Sequence, residues 1–112
     1  MQFYLDPGGK LTGRIRVPGD KSMSHRSIML GSIAEGRTTV SGFLEGEDAL
    51  ATLASFRDMG VQITDPDAGE LTIEGVGLRG LEPPQQVMDV GNSGTSIRLM
   101  MCLLAGQSFD SV

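Results

Sequence analysis

The segment Pro18–Arg26, Pro-Gly-Asp-Lys-Ser-Met-Ser-His-Arg, separates a strand-like pattern from a helix-like pattern. Before it, apolar residues alternate over Gly13–Val17, which predicts a short strand. After it, Ser22–Glu35 is predicted as a helix closed by Gly36, because its apolar residues fall on one helical face. That face consists of Met29, Leu30, Ile33 and Ala34. The segment is therefore a glycine turn that leads from a strand into a helix.

A helix that starts after a glycine turn favours an anion at its first turn. The N–H groups there have no partner within the helix, and the helix dipole adds partial positive charge. Lys21 contributes a full charge, and Arg26, one turn after Ser22, can bind a phosphate or carboxylate with two N–H groups. By spacing alone, an ordinary Ser22 cap with solvated basic side chains is equally favoured. A nucleotide-binding P-loop is excluded, because Asp20 separates Gly19 from Lys21.

The rest of the chain alternates between strand and helix patterns. Thr38–Phe43 is rich in β-branched residues and predicts a strand, and Asp48–Met59 predicts a second helix. Val61–Thr64 and Leu71–Glu74 alternate on either side of a turn-rich segment, which is typical of a hairpin. A third helix is predicted from Ser93 to Ala105. The predicted order is β-α-β-α-β-β followed by a helix, an α/β unit, and Ser108–Val112 is expected to open another strand.

A second glycine turn precedes the third helix, in Asp89–Arg98, Asp-Val-Gly-Asn-Ser-Gly-Thr-Ser-Ile-Arg. Gly91 and Gly94 permit close backbone approach to a ligand. Three polar residues in this turn can cap the helix or contact a ligand, namely Asn92, Ser93 and Thr95. Alone, the turn is more simply explained as a helix cap. Two such helix starts in one small domain indicate a site for two anionic groups.

The charge distribution fits a small anion better than a nucleic acid. The 112-residue chain has a net charge of −5 and 39% apolar residues. Residues 1–37 hold six basic groups against three acidic ones, and residues 38–112 hold three against eleven. A nucleic-acid interface would need a broad positive face, so that class is excluded. No apolar run approaches the roughly 20 residues of a membrane span.

The single cysteine, Cys102, cannot form an internal disulfide or hold a metal alone, so we expect a cytoplasmic protein. The segment Met100–Cys102 is predicted to be core, and a reactive Cys102 is disfavoured. Three acidic residues precede the second helix, where acidic groups favour the helix dipole, and helix capping is a stronger interpretation than a metal site. These residues are Glu45, Glu47 and Asp48.

Both glycine turns match a known enzyme family. Pro18–Arg26 closely resembles the amino-terminal signature of the 5-enolpyruvylshikimate-3-phosphate synthase family. Gly91–Arg98 resembles the second signature of that family, Gly-Asn-x-Gly-Thr-x-x-Arg. The resemblance implies an inverse α/β barrel of two lobes, each made of three β-α-β-α-β-β units. Residues 1–20 would then belong to the opposite lobe, and residues 21–112 would form the first, incomplete unit of the amino-terminal lobe.

By this resemblance, the chain corresponds to roughly the first quarter of such an enzyme. Leu11–Val17 would lack its native sheet partner, which predicts an exposed apolar face and self-association. The family transfers the enolpyruvyl group of phosphoenolpyruvate to the 5-hydroxyl of shikimate 3-phosphate and releases phosphate, on the route to chorismate. No cofactor or metal is implied. The chain alone is expected to be inactive, because the remaining two-lobe portion completes the site.

The resemblance also implies roles for individual residues. Lys21 would touch both substrates and is the one catalytic residue expected here, while Ser22 and Arg26 would hold shikimate 3-phosphate. Gly94 would lie against phosphoenolpyruvate, where added bulk alters binding of the inhibitor glyphosate. Three further candidates near that pocket are Asn92, Thr95 and Asp48. Many relatives have Asn at the position of His25, which we interpret as a surface or helix-face residue.

Three alternatives remain open. A UDP-sugar enolpyruvyl transferase shares the implied fold, but a Lys-Asn pair is expected there where this chain has Lys21-Ser22. A module that binds a phosphorylated metabolite without chemistry would show saturable phosphate-dependent binding and no product. A purely structural fragment would show neither.

Overall fold

The computed structural model describes all 112 residues, and a central strand organises it. The elements, in chain order, are α1 (Lys21–Ile33), β1 (Glu35–Val40), α2 (Glu47–Asp58), β2 (Gln62–Ile63), β3 (Leu71–Val76) and α3 (Gly94–Leu104). Helix α1 packs against β3, and α2 and α3 both pack against α1. The helix that carries the first glycine turn therefore contacts both the sheet and the other two helices.

The sheet has three antiparallel strands in the order β1-β3-β2. The register of β1 on β3 runs from Glu35 opposite Val76 to Val40 opposite Leu71. On the other edge, Ile63 lies opposite Ile73, which confirms the predicted hairpin. Leu71 and Ile73 alternate with more exposed neighbours, so one face of β3 is buried under the helices.

Helix α1 approaches the sheet at two glycines. A Cβ on Gly75 would lie 2.2 Å from the Ala34 carbonyl oxygen and 2.5 Å from that of Gly31. A Cβ on Gly31 would lie 2.8 Å from Ile73 Cδ1. Backbone therefore packs directly on backbone at this crossing, because neither glycine has a side chain. The largest fully buried apolar side chains of the core are Ile28, Phe56, Met59 and Ile73.

The predicted first strand, Gly13–Val17, does not form. Residues 1–20 contain no helix or strand, and Ile15 and Val17 are 89% and 71% exposed. A strand is stable only when a neighbour pairs with its N–H and C=O groups, and β1, β2 and β3 pair only with one another. The exposed apolar face expected for this segment is confirmed. The strand expected at Ser108–Val112 is also absent.

The predicted bounds of the first helix and of the strand after it were wrong by one to three residues. Helix α1 begins at Lys21 rather than Ser22 and ends at Ile33, so Gly36 lies within β1 instead of closing the helix. Strand β1 consequently ends at Val40 rather than Phe43. The predicted apolar face of α1 was also inaccurate: Leu30 is 63% exposed, while small and polar residues face inward. The buried residues of α1 are Ser24, His25, Ile28, Met29, Gly31 and Ser32.

Helix α3 buries Met100 but exposes Met101 and Cys102, so the prediction that all three are core was wrong. Consecutive helical residues point about 100° apart, and a helix packed on one side cannot bury three in a row. No helix of the chain has the length and apolarity needed to cross a membrane.

We expect Gly75→Ala to lower the free energy of unfolding by about 2 to 3 kcal/mol, because the new methyl group meets two backbone carbonyls. Gly31→Ala is the matched control and should change it by less than about 1 kcal/mol, since the Ile73 methyl can rotate away and alanine favours a helix. Urea unfolding monitored by circular dichroism measures both values. Equal midpoints for Gly75→Ala and Gly31→Ala would contradict the backbone crossing.

Candidate functional site

The start of α1 places two of the candidate residues in its first turn. Asp20, not Ser22, is the N-cap: its Oδ1 accepts a hydrogen bond of 2.7 Å from the Met23 N–H. The interpretation of Ser22 as an ordinary cap is therefore wrong, and the Ser22 hydroxyl is not used in capping. Lys21 precedes Ser22 at the first helical position, and Arg26 lies exposed one turn further along.

The second glycine turn places the other candidates at the start of α3. Ser93 is the N-cap, and its Oγ accepts a hydrogen bond of 3.1 Å from the Ser96 N–H. Asn92 is exposed just before the cap, and Thr95 is half-buried just after it. The space above Gly94 is open, since the only neighbour of a Cβ there would be Arg98 Nη1 at 3.8 Å.

The carboxylate of Asp48, in the first turn of α2, joins these two helix starts. Its Oδ2 accepts a hydrogen bond from Lys21 Nζ, and its Oδ1 accepts one of 3.1 Å from the Asn92 N–H. A Cβ on Gly91 would lie 2.8 Å from Asp48 Oδ1, and Gly91 has φ +60. Both the close contact and the positive φ favour glycine at this position. The close approach expected of Gly91 is thus to a carboxylate of the chain itself.

His25 is completely buried, so its interpretation as a surface or helix-face residue was wrong. Its Nδ1 lies 2.9 Å from both Thr52 Oγ1 and Ser96 Oγ, and its Nε2 lies 3.4 Å from Ser93 Oγ. Every buried polar side-chain atom of the chain has a hydrogen-bond partner. The buried imidazole of α1 is therefore satisfied by α2 and α3, while the buried Ser24 and Ser32 hydroxyls donate to the carbonyls of Asp20 and Ile28.

The two ionisable groups at this junction have shifted pKa values. The hydrogen bond from Lys21 holds the pKa of Asp48 below its ordinary value, and the Asn92 N–H acts in the same direction. Burial lowers the pKa of His25, and the positive charge of Lys21 lowers it further, against the opposing effect of Asp48. At neutral pH the site therefore contains an ionised carboxylate above a neutral imidazole.

The site is an open surface. None of the larger cavities is lined by Lys21, Ser22, Asn92 or Thr95. Arg26 instead borders an apolar groove of about 560 Å³ between α1 and α3, with Arg79 at the same groove. The structure thus brings Lys21 and Asn92 together on one carboxylate, but it does not enclose a ligand. No cluster of three or more His, Cys, Asp or Glu side chains is arranged to hold a metal ion.

Three residues of this junction were not predicted from the sequence. Asp20 carries a recognisable signal, since aspartate immediately before a helix is a preferred N-cap. Thr52 and Ser96 carry none, because serine and threonine are mostly exposed and nothing in the local pattern marks these two as buried. Their importance depends on which helices meet.

We expect Lys21→Met to raise the pKa of Asp48 toward the ordinary value of about 3.9, because the hydrogen bond to its carboxylate is lost. The stability that Asp48 contributes is present above that ordinary value and is lost as the pH falls through the lowered pKa. Carboxyl ¹³C NMR across acidic pH measures the shift. Lys10→Met is the matched control, and an Asp48 titration unchanged in Lys21→Met would contradict the contact.

We expect the free energy of unfolding to fall as the pH drops below about 6.5, where the unfolded His25 takes up a proton but the buried one does not. A single proton gives a slope of at most about 1.4 kcal/mol per pH unit. The stability is fully present above the unfolded pKa. Urea unfolding between neutral pH and the mildly acidic range measures it. His25→Asn should remove the dependence in that range, because the chain has no other histidine.

Comparisons with known proteins identify the family of the chain. The family model of EPSP synthase (3-phosphoshikimate 1-carboxyvinyltransferase) matches residues 5–112. The chain is 64% identical to the 3-phosphoshikimate 1-carboxyvinyltransferase of Alkalilimnicola ehrlichii over 111 residues, which are 99% of this chain and 25% of the relative. It is also 64% identical to the 3-phosphoshikimate 1-carboxyvinyltransferase of Hydrogenovibrio crunogenus, over 98% of this chain and 25% of the relative.

Solved structures give the same result for the fold. The chain matches the EPSP synthase from Acinetobacter baumannii with a TM-score of 0.84 and 64% sequence identity, over 89% of this chain and 23% of that one. The expected fold class, an α/β unit of the inverse α/β barrel, is confirmed by this match. The chain spans about a quarter of the length of the curated relatives it matches. With a family match over nearly its whole length, the chain belongs to the EPSP synthase family.

Proposed function

We propose that this chain forms part of an enzyme that transfers the enolpyruvyl group from phosphoenolpyruvate to the 5-hydroxyl of shikimate 3-phosphate, with release of phosphate. The observation that carries the proposal is the contact of Asp48 with Lys21 and the Asn92 N–H, which sets two helix N-termini side by side. Each N-terminus favours an anion, and both proposed substrates are anions. The names of the relatives support the same reaction.

The proposed roles follow the two helix starts. Lys21, whose ammonium bonds to the carboxylate that joins the two starts, contacts both substrates, while the Ser22 hydroxyl and the Arg26 guanidinium bind the phosphate of shikimate 3-phosphate. Phosphoenolpyruvate lies over Gly94, where the space is open, with Asn92 and Thr95 beside it. Asp48 is a positioning residue, because its carboxylate fixes the Lys21 ammonium instead of meeting either anion.

The proposed reaction is addition followed by elimination. A proton is added to the methylene carbon of phosphoenolpyruvate while the 5-hydroxyl oxygen of shikimate 3-phosphate bonds to the adjacent carbon and gives up its own proton to a general base. A proton is then removed from the new methyl group as the phosphate leaves, which restores the double bond. Lys21 stabilises the negative charge that the phosphate carries through both steps.

The rest of the family fold completes this proposal. Residues 1–20 belong with the opposite lobe and residues 21–112 with the first unit of the amino-terminal lobe. The exposed apolar side chains of residues 1–20, among them Phe3, Leu5 and Leu11, support pairing with a sheet outside residues 21–112. We propose that the complete enzyme works in the cytoplasm and that the open site described above becomes enclosed by the rest of the enzyme. The 112-residue chain alone is inactive.

A chimera tests the proposal. Residues 1–112 replace the matching first quarter of the Acinetobacter baumannii EPSP synthase, and phosphate release from phosphoenolpyruvate and shikimate 3-phosphate is measured. We expect kcat/KM within about tenfold of the parent enzyme. Lys21→Met in the chimera should lower it about 100-fold or more, since removal of a single group that stabilises developing charge costs about that much.

The matched control is Lys10→Met, which removes an exposed lysine of the same charge from residues 1–20. It should leave kcat/KM within about twofold, as expected for a solvated surface charge. A chimera that folds but binds both substrates without releasing phosphate would favour a metabolite-binding module. A folded chimera with neither property would reject the proposed function.

A further inference from the structure

Beneath the Asp48 carboxylate lies a second set of contacts, fully buried, that joins the same three helices. Thr52 follows Asp48 by one turn of α2, and its Oγ1 lies 2.8 Å from Ser96 Oγ of α3. His25 of α1 contacts both hydroxyls through Nδ1 and reaches Ser93 through Nε2. We call His25, Thr52, Ser93 and Ser96 the buried polar cluster.

The protons of the buried polar cluster can be placed so that each of them has a partner. In this arrangement Ser93 Oγ accepts from the Ser96 N–H and donates its own proton to His25 Nε2. Nδ1 then carries the imidazole proton and donates to the Thr52 and Ser96 hydroxyls. Ser96 donates to Thr52, and Thr52 donates to the Asp48 carbonyl at 3.3 Å. This arrangement requires a neutral imidazole protonated at Nδ1.

The buried polar cluster fixes the distance between the two anion-binding helix starts. Lys21 and Ser22 lie one turn before His25 on α1, and Gly94 and Thr95 lie between Ser93 and Ser96 on α3. The Asp48 contact connects the two starts at the surface, where water competes for its hydrogen bonds. The buried contacts connect them where no water competes, so they define a single separation.

We propose that His25 is a positioning residue for the transfer reaction, which holds the first turn of α3 against the first turn of α1 so that both anions are bound at the correct separation. This inference rests on the proposed function. His25 itself touches neither substrate, because it has no exposed surface. Its effect is transmitted through Ser96 and Ser93 to the backbone that carries Gly94 and Thr95.

The chemistry of the contacts ranks the possible replacements. Two of the three imidazole contacts are at Nδ1, and the amide nitrogen of an asparagine occupies nearly the same place relative to the Cβ atom. His25→Asn should therefore keep the link to Thr52 and Ser96 and lose only the longer contact to Ser93. His25→Leu keeps comparable bulk but no hydrogen bond, and it leaves both hydroxyls without their partner.

Steady-state kinetics of the chimera test the inference. We expect His25→Leu to raise KM for phosphoenolpyruvate and shikimate 3-phosphate by about tenfold or more, and His25→Asn to stay within about threefold. Ser96→Ala should raise both KM values, but by less than His25→Leu does. The matched control is Ser32→Ala, which removes an equally buried hydroxyl of α1 that bonds only to Ile28 O of its own helix; it should leave both KM values unchanged.

A merely structural role predicts a different pattern. Lost stability alone lowers the amount of folded enzyme and the apparent kcat, but the folded fraction retains the KM of the parent. His25→Leu with unchanged KM for both substrates would overturn the inference, as would a KM increase of equal size in Ser32→Ala.

A spectroscopic measurement separates this inference from the proposed function. His25 is the only histidine, so the ring nitrogens of the 112-residue chain give one unambiguous pair of ¹⁵N signals. We expect the neutral form at pH 7, and faster amide exchange at Gly94–Ser96 in His25→Leu than in Ser32→Ala. An inactive parent chimera with these signals would reject the function but keep the positioning. Amide exchange at Gly94–Ser96 that is no faster in His25→Leu than in Ser32→Ala would overturn the positioning itself.

Discussion

The arrangement of the site depends on a carboxylate that is held between a cation and a backbone N–H group. Asp48 accepts from Lys21 on one oxygen and from the Asn92 N–H on the other, so a single side chain on α2 sets α1 and the turn before α3 in relation to each other. The pair lies at the surface, where an ion pair contributes little to stability. Its value is geometric: Lys21 has a long flexible stem, and a fixed partner restricts the positions of its ammonium group.

The stability of the junction comes from a different set of contacts, which lie under that carboxylate. The inner face of α1 carries serine and histidine where a simple amphipathic helix would carry leucine. A polar helix face can be buried only when each hydroxyl and ring nitrogen finds a partner, and here all of them do. Sliding or rotating α1 would break the hydrogen bonds of His25 to α2 and α3, so these contacts favour one orientation of the helix.

Local patterns predicted much of this fold, and long-range contacts explain what they missed. The β2–β3 hairpin and the three helices were predictable because alternation and helical spacing are local, and Gly60 marks the end of α2. His25 was misplaced because its partners, Thr52 and Ser96, are 27 and 71 residues away in sequence. The strand at Gly13–Val17 has the correct local pattern, but a strand also needs a neighbour, and none of β1, β2 and β3 pairs with it. The two glycine turns predicted two anion-binding starts, whereas only the fold brings them together.

The glycine crossing between α1 and β3 sets the angle at which α1 lies on the sheet, and that angle sets the position of the start of the helix. Gly31 packs against the sheet, and Lys21 lies ten residues away, about 15 Å along the helix axis. A tilt of α1 by about 4° about Gly31 would move Lys21 by about 1 Å, a displacement large enough to lower an enzymatic rate by about a hundredfold. Substitutions in the sheet are thus constrained by an angular tolerance as well as by stability. Variants that unfold at the same denaturant concentration as the parent can therefore still differ in the tilt of α1 and in the position of the Lys21 ammonium group.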